Sequence, residues 1–182
     1  QKEGRANDGN DFTEEAVLKM LYLDSRKRFS LQEWVSKVNL TPIVISYEFD
    51  PLDKVKAIGW EGWKKLSPEE NNRRDIKELV QGITGIKGRV HLHICKSLKS
   101  FSGDMVDLVK TIDEEIINNF KLWPINHVAA FELSREDNKY DIYDKSLITK
   151  KEVQQLNKRL YGLNDSLRKK ILTTYAAPLK NK

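Results

Sequence analysis

At 182 residues, with 32% charged side chains and a mean hydropathy of −0.60, the chain fits one domain with a buried core. Its longest apolar runs, such as Pro42-Ile43-Val44-Ile45, are strand-sized and fall far short of the ~20 residues of a membrane-spanning helix. The single cysteine, Cys95, excludes an internal disulfide and a cysteine-rich zinc site.

The chain opens on Gln1-Lys2-Glu3-Gly4-Arg5-Ala6-Asn7-Asp8-Gly9-Asn10-Asp11. Glycine brings a backbone close to a ligand, Arg5 can grip a phosphate with two donors, and Glu3 can accept from a hydroxyl. The run is therefore a candidate site for an anionic, hydroxylated ligand, although the same residues also make an ordinary turn ahead of a helix. Apolar residues at Phe12, Ala16, Val17, Met20 and Leu21 then predict an amphipathic helix from Phe12 to Leu23, capped by Asp11 or Thr13. Ser30-Leu31-Gln32-Glu33 is a capping-box pattern ahead of Trp34, Val35 and Val38. Pro42 to Phe49 reads as a buried strand closed by Asp50-Pro51. Ser67-Pro68-Glu69-Glu70 opens a helix with proline in its first position, and Gly82 marks its stop.

From Gly88 to Cys95 the residues alternate, with Val90, Leu92 and Ile94 on one face and Arg89, His91 and His93 on the other. Met105 to Phe120 carries a helical stripe through Val106, Leu108, Val109, Ile112, Ile116, Ile117 and Phe120. Thr149-Lys150-Lys151-Glu152 caps a last stripe of Val153, Leu156, Leu160 and Leu163, which Gly162 and Asn164-Asp165 break before Leu167, Ile171 and Leu172. This order predicts an α/β domain over residues 1–148, its sheet covered by amphipathic helices, followed by a basic helical tail over 149–182. The tail holds nine Lys/Arg against Glu152 and Asp165, while the rest of the chain is close to neutral. Such a charge suits lipid headgroups or nucleic acid, and it equally describes a solvated helical face.

The chemistry-bearing residues are few. His91 and His93 point the same way from one strand, yet the only other histidine is His127 and no acid stands close in sequence, so no metal site is expected. There is no Gly-x-Ser-x-Gly elbow, and Gly82-Ile83-Thr84-Gly85-Ile86-Lys87-Gly88 lacks the spacing of a phosphate-binding glycine loop. Lys87 and Arg89, in a loop before a strand, could meet an anion. Trp60, Trp63 and Trp123, with Lys54, Lys56, Lys64 and Lys65 near the first two, suit either an interfacial surface or core packing. Cys95 reads as a small buried hydrophobe.

Taken in order, three stretches resemble the bacterial 1-acylglycerol-3-phosphate acyltransferase-like family. Glu3-Gly4-Arg5-Ala6 with its acidic loop is similar to the block that binds the glycerol phosphate head group. Thr41-Pro42-Ile43-Val44-Ile45-Ser46-Tyr47-Glu48-Phe49-Asp50-Pro51 looks like the strand lining the acyl side of the pocket, and Lys87 to Ile94 is similar to the next strand; Leu122 to His127 is a weaker match. The resemblance spans roughly residues 1–131 and implies the C-terminal half of an acyltransferase domain. It implies Glu3, Gly4 and Arg5 on the acceptor, with Pro42, Ile43 and Ile45 on the acyl chain. The implied partners are a lysophospholipid acceptor, an acyl-CoA or acyl-carrier-protein donor and the anionic cytoplasmic face of a membrane, with no cofactor, metal or nucleic acid. The family's His-x-x-x-x-Asp catalytic block is missing: five positions beyond His91, His93 and His127 stand Lys96, Leu98 and Glu132. The other expectation the residues allow is a non-catalytic basic α/β module that binds RNA or an acidic partner.

Overall fold

The structure, a computed structural model, describes residues 10, 12–59 and 67–182. It is a mixed α/β fold, mostly helical, with one small sheet. In chain order come α1 (Glu15–Tyr22), α2 (Leu31–Lys37), β1 (Ile43–Tyr47), α3 (Asp53–Ile58), α4 (Pro68–Thr84), β2 (Val90–Ile94), α5 (Met105–Asn119), α6 (Pro124–Ser134), α7 (Lys150–Leu160) and α8 (Asp165–Lys180).

Local chemistry sets most of these boundaries. Ser30 and Ser67 each accept from the amide three residues on, while Glu33 and Glu70 reach back to the cap amide. Each box satisfies two donors that a helix start leaves without partners. Asp104 does the same with Asp107 for α5, and Asn164 caps α8. α1 starts later than its apolar pattern, at Glu15, with Glu14 in the cap position and no side-chain cap bond, while the Thr13 amide donates to the Asp113 carboxylate (2.8 Å). α4 runs through Gly82 and ends at Gly85, where a Cβ would lie 2.6 Å from Pro51 Cβ.

Two cores result. The larger is built on α6, whose Ile125, Val128, Ala129, Ala130 and Leu133 are all buried against Leu156 and Leu160 of α7 and Ile171, Tyr175 and Ala176 of α8. A helix apolar nearly all round is the one that goes inside. The basic segment from Thr149 is thus two helices whose apolar stripes complete this core. The smaller core joins Leu18, Trp34, Val35, Leu108 and Ile112 from α1, α2 and α5.

β1 and β2 pair antiparallel, Ile43 opposite Ile94 and Tyr47 opposite Val90. The sheet is covered on one face only, which corrects the expectation of a covered sheet and of a strand buried on both sides. Val44, Ser46 and Glu48 are buried, and His91 and His93 are half-buried on that same face. Ile43, Ile45, Tyr47, Val90, Leu92 and Ile94 face outward and are 40–64% exposed. α4 is inverted likewise: Glu78 is its buried residue, whereas Ile76, Leu79, Val80 and Ile83 are exposed. Polar anchors decide this polarity. Ser46 Oγ accepts the Lys121 amide (2.9 Å), and Glu48 takes three hydrogen bonds from Arg89. A slip of one residue would exchange the two faces and leave those groups without partners.

The exit of β1 is fixed by a buried cluster. Arg159 of α7 donates to Asp53 Oδ2 from Nε (2.8 Å) and Nη2 (2.7 Å), and Tyr175 of α8 donates its hydroxyl to the same oxygen (2.9 Å). The Asp50 amide in turn donates to the Tyr175 oxygen (3.0 Å), and Arg159 Nη2 reaches the Asp50 carbonyl (2.8 Å). Removing the shared carboxylate leaves a half-buried guanidinium without its counter-charge and a buried phenol without its acceptor. Asp53→Asn should therefore lower unfolding free energy by about 3 kcal/mol in urea titrations, and adding Arg159→Met should recover part of it. An unchanged midpoint in Asp53→Asn would contradict this role.

Candidate functional site

Two of the three strand residues that the resemblance gives to the acyl side, Ile43 and Ile45, line a groove. α1, the outer edge of β1 and the C-terminal end of α5 enclose about 310 Å³, lined by Phe12, Val17, Leu18, Ile43, Val44, Ile45, Ile116 and Phe120, with Thr13 and Glu14 at its rim. Ile43 and Ile45 thus meet the same space, whereas Pro42 is buried outside it. Among the described residues no second strand pairs with the β1 edge along this groove. Glu48 N–H bonds to Arg89 O (2.9 Å) and Cys95 N–H to Pro42 O (3.0 Å), so the even-numbered residues of β1 face β2. In an antiparallel pair the intervening residues turn their amides and carbonyls away. Those are Ile43, Ile45 and Tyr47. The head-group residues Glu3, Gly4 and Arg5 lie outside the described residues, as do Trp60, Trp63, Lys64 and Lys65.

The loop before β2 meets an anion, but it is the protein's own. Arg89 grips Glu48 through Nε (3.0 Å) and Nη2 (2.7 Å), and its amide adds a third bond to Oε2 (2.9 Å). These hydrogen bonds hold the Glu48 carboxyl below its ordinary value, against the cost of its burial. Lys87 Nζ is spent on the Ile83 (2.8 Å) and Gly85 (3.2 Å) carbonyls. Gly88 makes the grip possible. Its φ is +64°, and a Cβ there would lie 2.7 Å from Glu48 Oε2 and from the Phe49 ring. The expectation that Lys87 and Arg89 receive an external anion is therefore corrected.

The histidines supply no visible catalytic base. His91 and His93 lie with ring centroids 6.3 Å apart, and no cluster of three metal-binding side chains exists among the described residues. His127 is buried on α6 and its Nδ1 accepts the Asp144 amide (3.0 Å), which puts the proton of the neutral ring on Nε2. Cys95 is buried, and burial pushes its thiol up, with Glu115 adding to the shift. Trp123 belongs to the larger core, with the Arg89 guanidinium 5.0 Å from its ring centroid.

Five of the tail's nine cations have intramolecular partners, Lys182 among them through the Asn118 carbonyl (3.5 Å). Arg159 is bound to Asp53, Arg168 reaches the Leu160 carbonyl (3.4 Å), Lys169 pairs with Glu136 (2.9 Å) and Lys180 lies 3.9 Å from the Tyr140 ring centroid. Lys150, Lys151, Lys158 and Lys170 are exposed. Sequence reasoning missed two parts of this arrangement: α6, and the Asp53–Arg159–Tyr175 cluster. Proline ahead of Ile-Asn-His-Val-Ala-Ala was the available signal for the first. The second joins residues 106 and 122 positions apart, which no local pattern announces. No protein-family model matches this chain, and no curated protein or solved structure is significantly similar to it.

Burial pushes the His127 imidazole below its ordinary value of 6.5, and the nearby Asp144 only partly offsets this. The folded state therefore resists a proton that the unfolded state accepts, so the contribution is complete above 6.5 and is lost as pH falls through that value. Unfolding free energy should decline between about pH 7 and pH 5. His127→Asn, which keeps an acceptor for the Asp144 amide, should flatten that decline; an identical slope in the variant would exclude His127 as its source.

Proposed function

We propose that this chain is part of an acyltransferase that moves a fatty acyl group from a thioester donor to the free hydroxyl of a lysophosphatidate-like acceptor. The observation that carries the reading is the apolar groove beside β1. It holds Ile43 and Ile45, two of the three residues, with Pro42, that the family resemblance gives to the acyl chain, among aromatic and aliphatic walls. Apolar lining with a few polar groups at the mouth suits a hydrocarbon chain with a polar end. Glu3, Gly4 and Arg5 would seat the acceptor, Arg5 neutralising its phosphate with a two-donor grip.

The reaction places a hydroxyl oxygen on the thioester carbonyl, forms a tetrahedral oxyanion and expels the thiolate. A base must take the hydroxyl proton as the oxygen attacks. His127 is a poor candidate, with Nδ1 committed to Asp144 and the ring inside the core. In this reading the base comes from a His-x-x-x-x-Asp block elsewhere in the polypeptide, and the 182 residues supply binding surfaces.

Two measurements test the proposal. Purified chain should bind a fluorescent fatty acid that palmitoyl-CoA displaces, and Val17→Asp or Ile45→Asp should weaken that binding by about 10-fold or more, since each puts a charge into an apolar wall. The same chain should give no acyl transfer to lysophosphatidate above a buffer control. Binding unaffected by both substitutions, or turnover by the chain alone, would remove the reading.

A further inference from the structure

We infer that the outward face of the β1–β2 sheet, together with the apolar stripe of α4, is an interface that seats a second copy of this chain. The two surfaces adjoin. Lys87 Nζ bonds to the Ile83 carbonyl of α4 (2.8 Å) and stands 6.0 Å from the centroid of the Tyr47 ring on β1. Their eleven large apolar side chains, from Ile43 at one end to Ile86 at the other, are each 40–76% exposed. That leaves on the order of 1,000 Å² of apolar side chain in water, where a monomer's largest patch is ~300–600 Å² and a standard interface buries ~800 Å² per partner.

The polarity of these elements is fixed, so the surface cannot turn inward. Ser46 and Glu48 are held on the covered side by Lys121 and Arg89, and α4 is tied down by Gln81 Nε2, which donates to the Pro51 carbonyl (2.7 Å). Charge selects the occupant. The six outward sheet positions carry no ionisable group except the Tyr47 phenol. An isologous contact brings each sheet face against itself, and these six positions do so without like-charge pairs, which cost affinity at any charged interface, while Lys87 at the junction is held by the Ile83 and Gly85 carbonyls. Stacked sheet faces, with aliphatic side chains interdigitating, are the standard way for two such layers to become a core.

The net charge of +5 on each copy opposes association, so added salt should tighten the dimer by screening that repulsion. An interface with an anionic surface or nucleic acid would weaken in salt instead.

Sedimentation velocity on the full 182-residue chain, from low micromolar to roughly 100 µM, should resolve a monomer–dimer equilibrium whose dissociation constant falls between low and high sodium chloride. Leu92→Lys and Ile83→Lys should each raise it by about 100-fold or more. Val106→Lys, at an equally exposed position on α5, should leave it unchanged. Both test positions are more than half exposed and lie outside the groove beside β1, so the variants should keep the wild-type circular dichroism and fatty-acid binding. A wild-type chain that stays monomeric throughout overturns the inference. So does a dimer indifferent to Leu92→Lys and Ile83→Lys, and so does a monomer that instead co-sediments with phosphatidylcholine vesicles through Leu92.

Discussion

One carboxylate oxygen, Asp53 Oδ2, joins the sheet to the larger core. It collects a guanidinium from α7 and a phenol from α8, while the Asp50 amide closes the ring onto the same phenol. Asp53 and Tyr175 are buried, so each donor depends on the others for its partner. Burial, and then the neighbouring carboxylate, push the Tyr175 hydroxyl well above its usual value, which keeps it a donor at any physiological pH. Because Asp53 lies six residues past the end of β1, this cluster sets where the strand ends. The Glu48–Arg89 pair sets where its neighbour begins. The position of Ile43 and Ile45 beside α1 follows from both clamps.

That constraint also explains why the sheet turns its apolar side to water. In a strand the two faces compete, and greasy residues normally win the inside. Here the inner face is the one whose hydrogen bonds and ion pair have partners in place, and turning it outward to bury two isoleucines and a tyrosine of β1 with three aliphatics of β2 would forfeit those buried polar contacts. On α4 the bond that leaves the helix is again polar, Gln81 Nε2 donating to the Pro51 carbonyl (2.7 Å). The apolar surface is left over from that competition and is available for another layer.

How much of this was legible in the sequence depends on the range of the interaction. Short-range chemistry read well: the Ser30, Ser67 and Thr149 caps, the alternation of β2, and the break at Gly162, whose φ of +77° suits glycine, all lie where the local pattern put them. α3 and α6 were not legible, the first because six residues carry too little periodicity and the second because a helix apolar on every side has none. The alternation of β2 identified two faces correctly but not which one is covered, since that depends on Ser46, Glu48 and Lys121, all distant in sequence. Of the candidate site, the acyl-side residues Ile43 and Ile45 lie together on a groove, while the Lys87–Arg89 anion site resolved into an internal ion pair.

The basic tail carries the same lesson about charge. A count of nine cations suggests an electrostatic surface, yet a cation's effect beyond the molecule depends on what already neutralises it. Arg159 is consumed by Asp53 and Lys169 by Glu136, while Arg168 and Lys180 lie against a carbonyl and an aromatic ring. The exposed remainder, Lys150, Lys151, Lys158 and Lys170, is spread along two helices whose other faces are core. These four lysines, only Lys150 and Lys151 of them adjacent and each contributing ~1 kcal/mol at most to a charged membrane surface, make a weak attraction that fades within ~8 Å at physiological salt. For a protein that works on lipids, the larger driving force would have to come from apolar surface, and that surface lies on β1, β2 and α4 instead of on the tail.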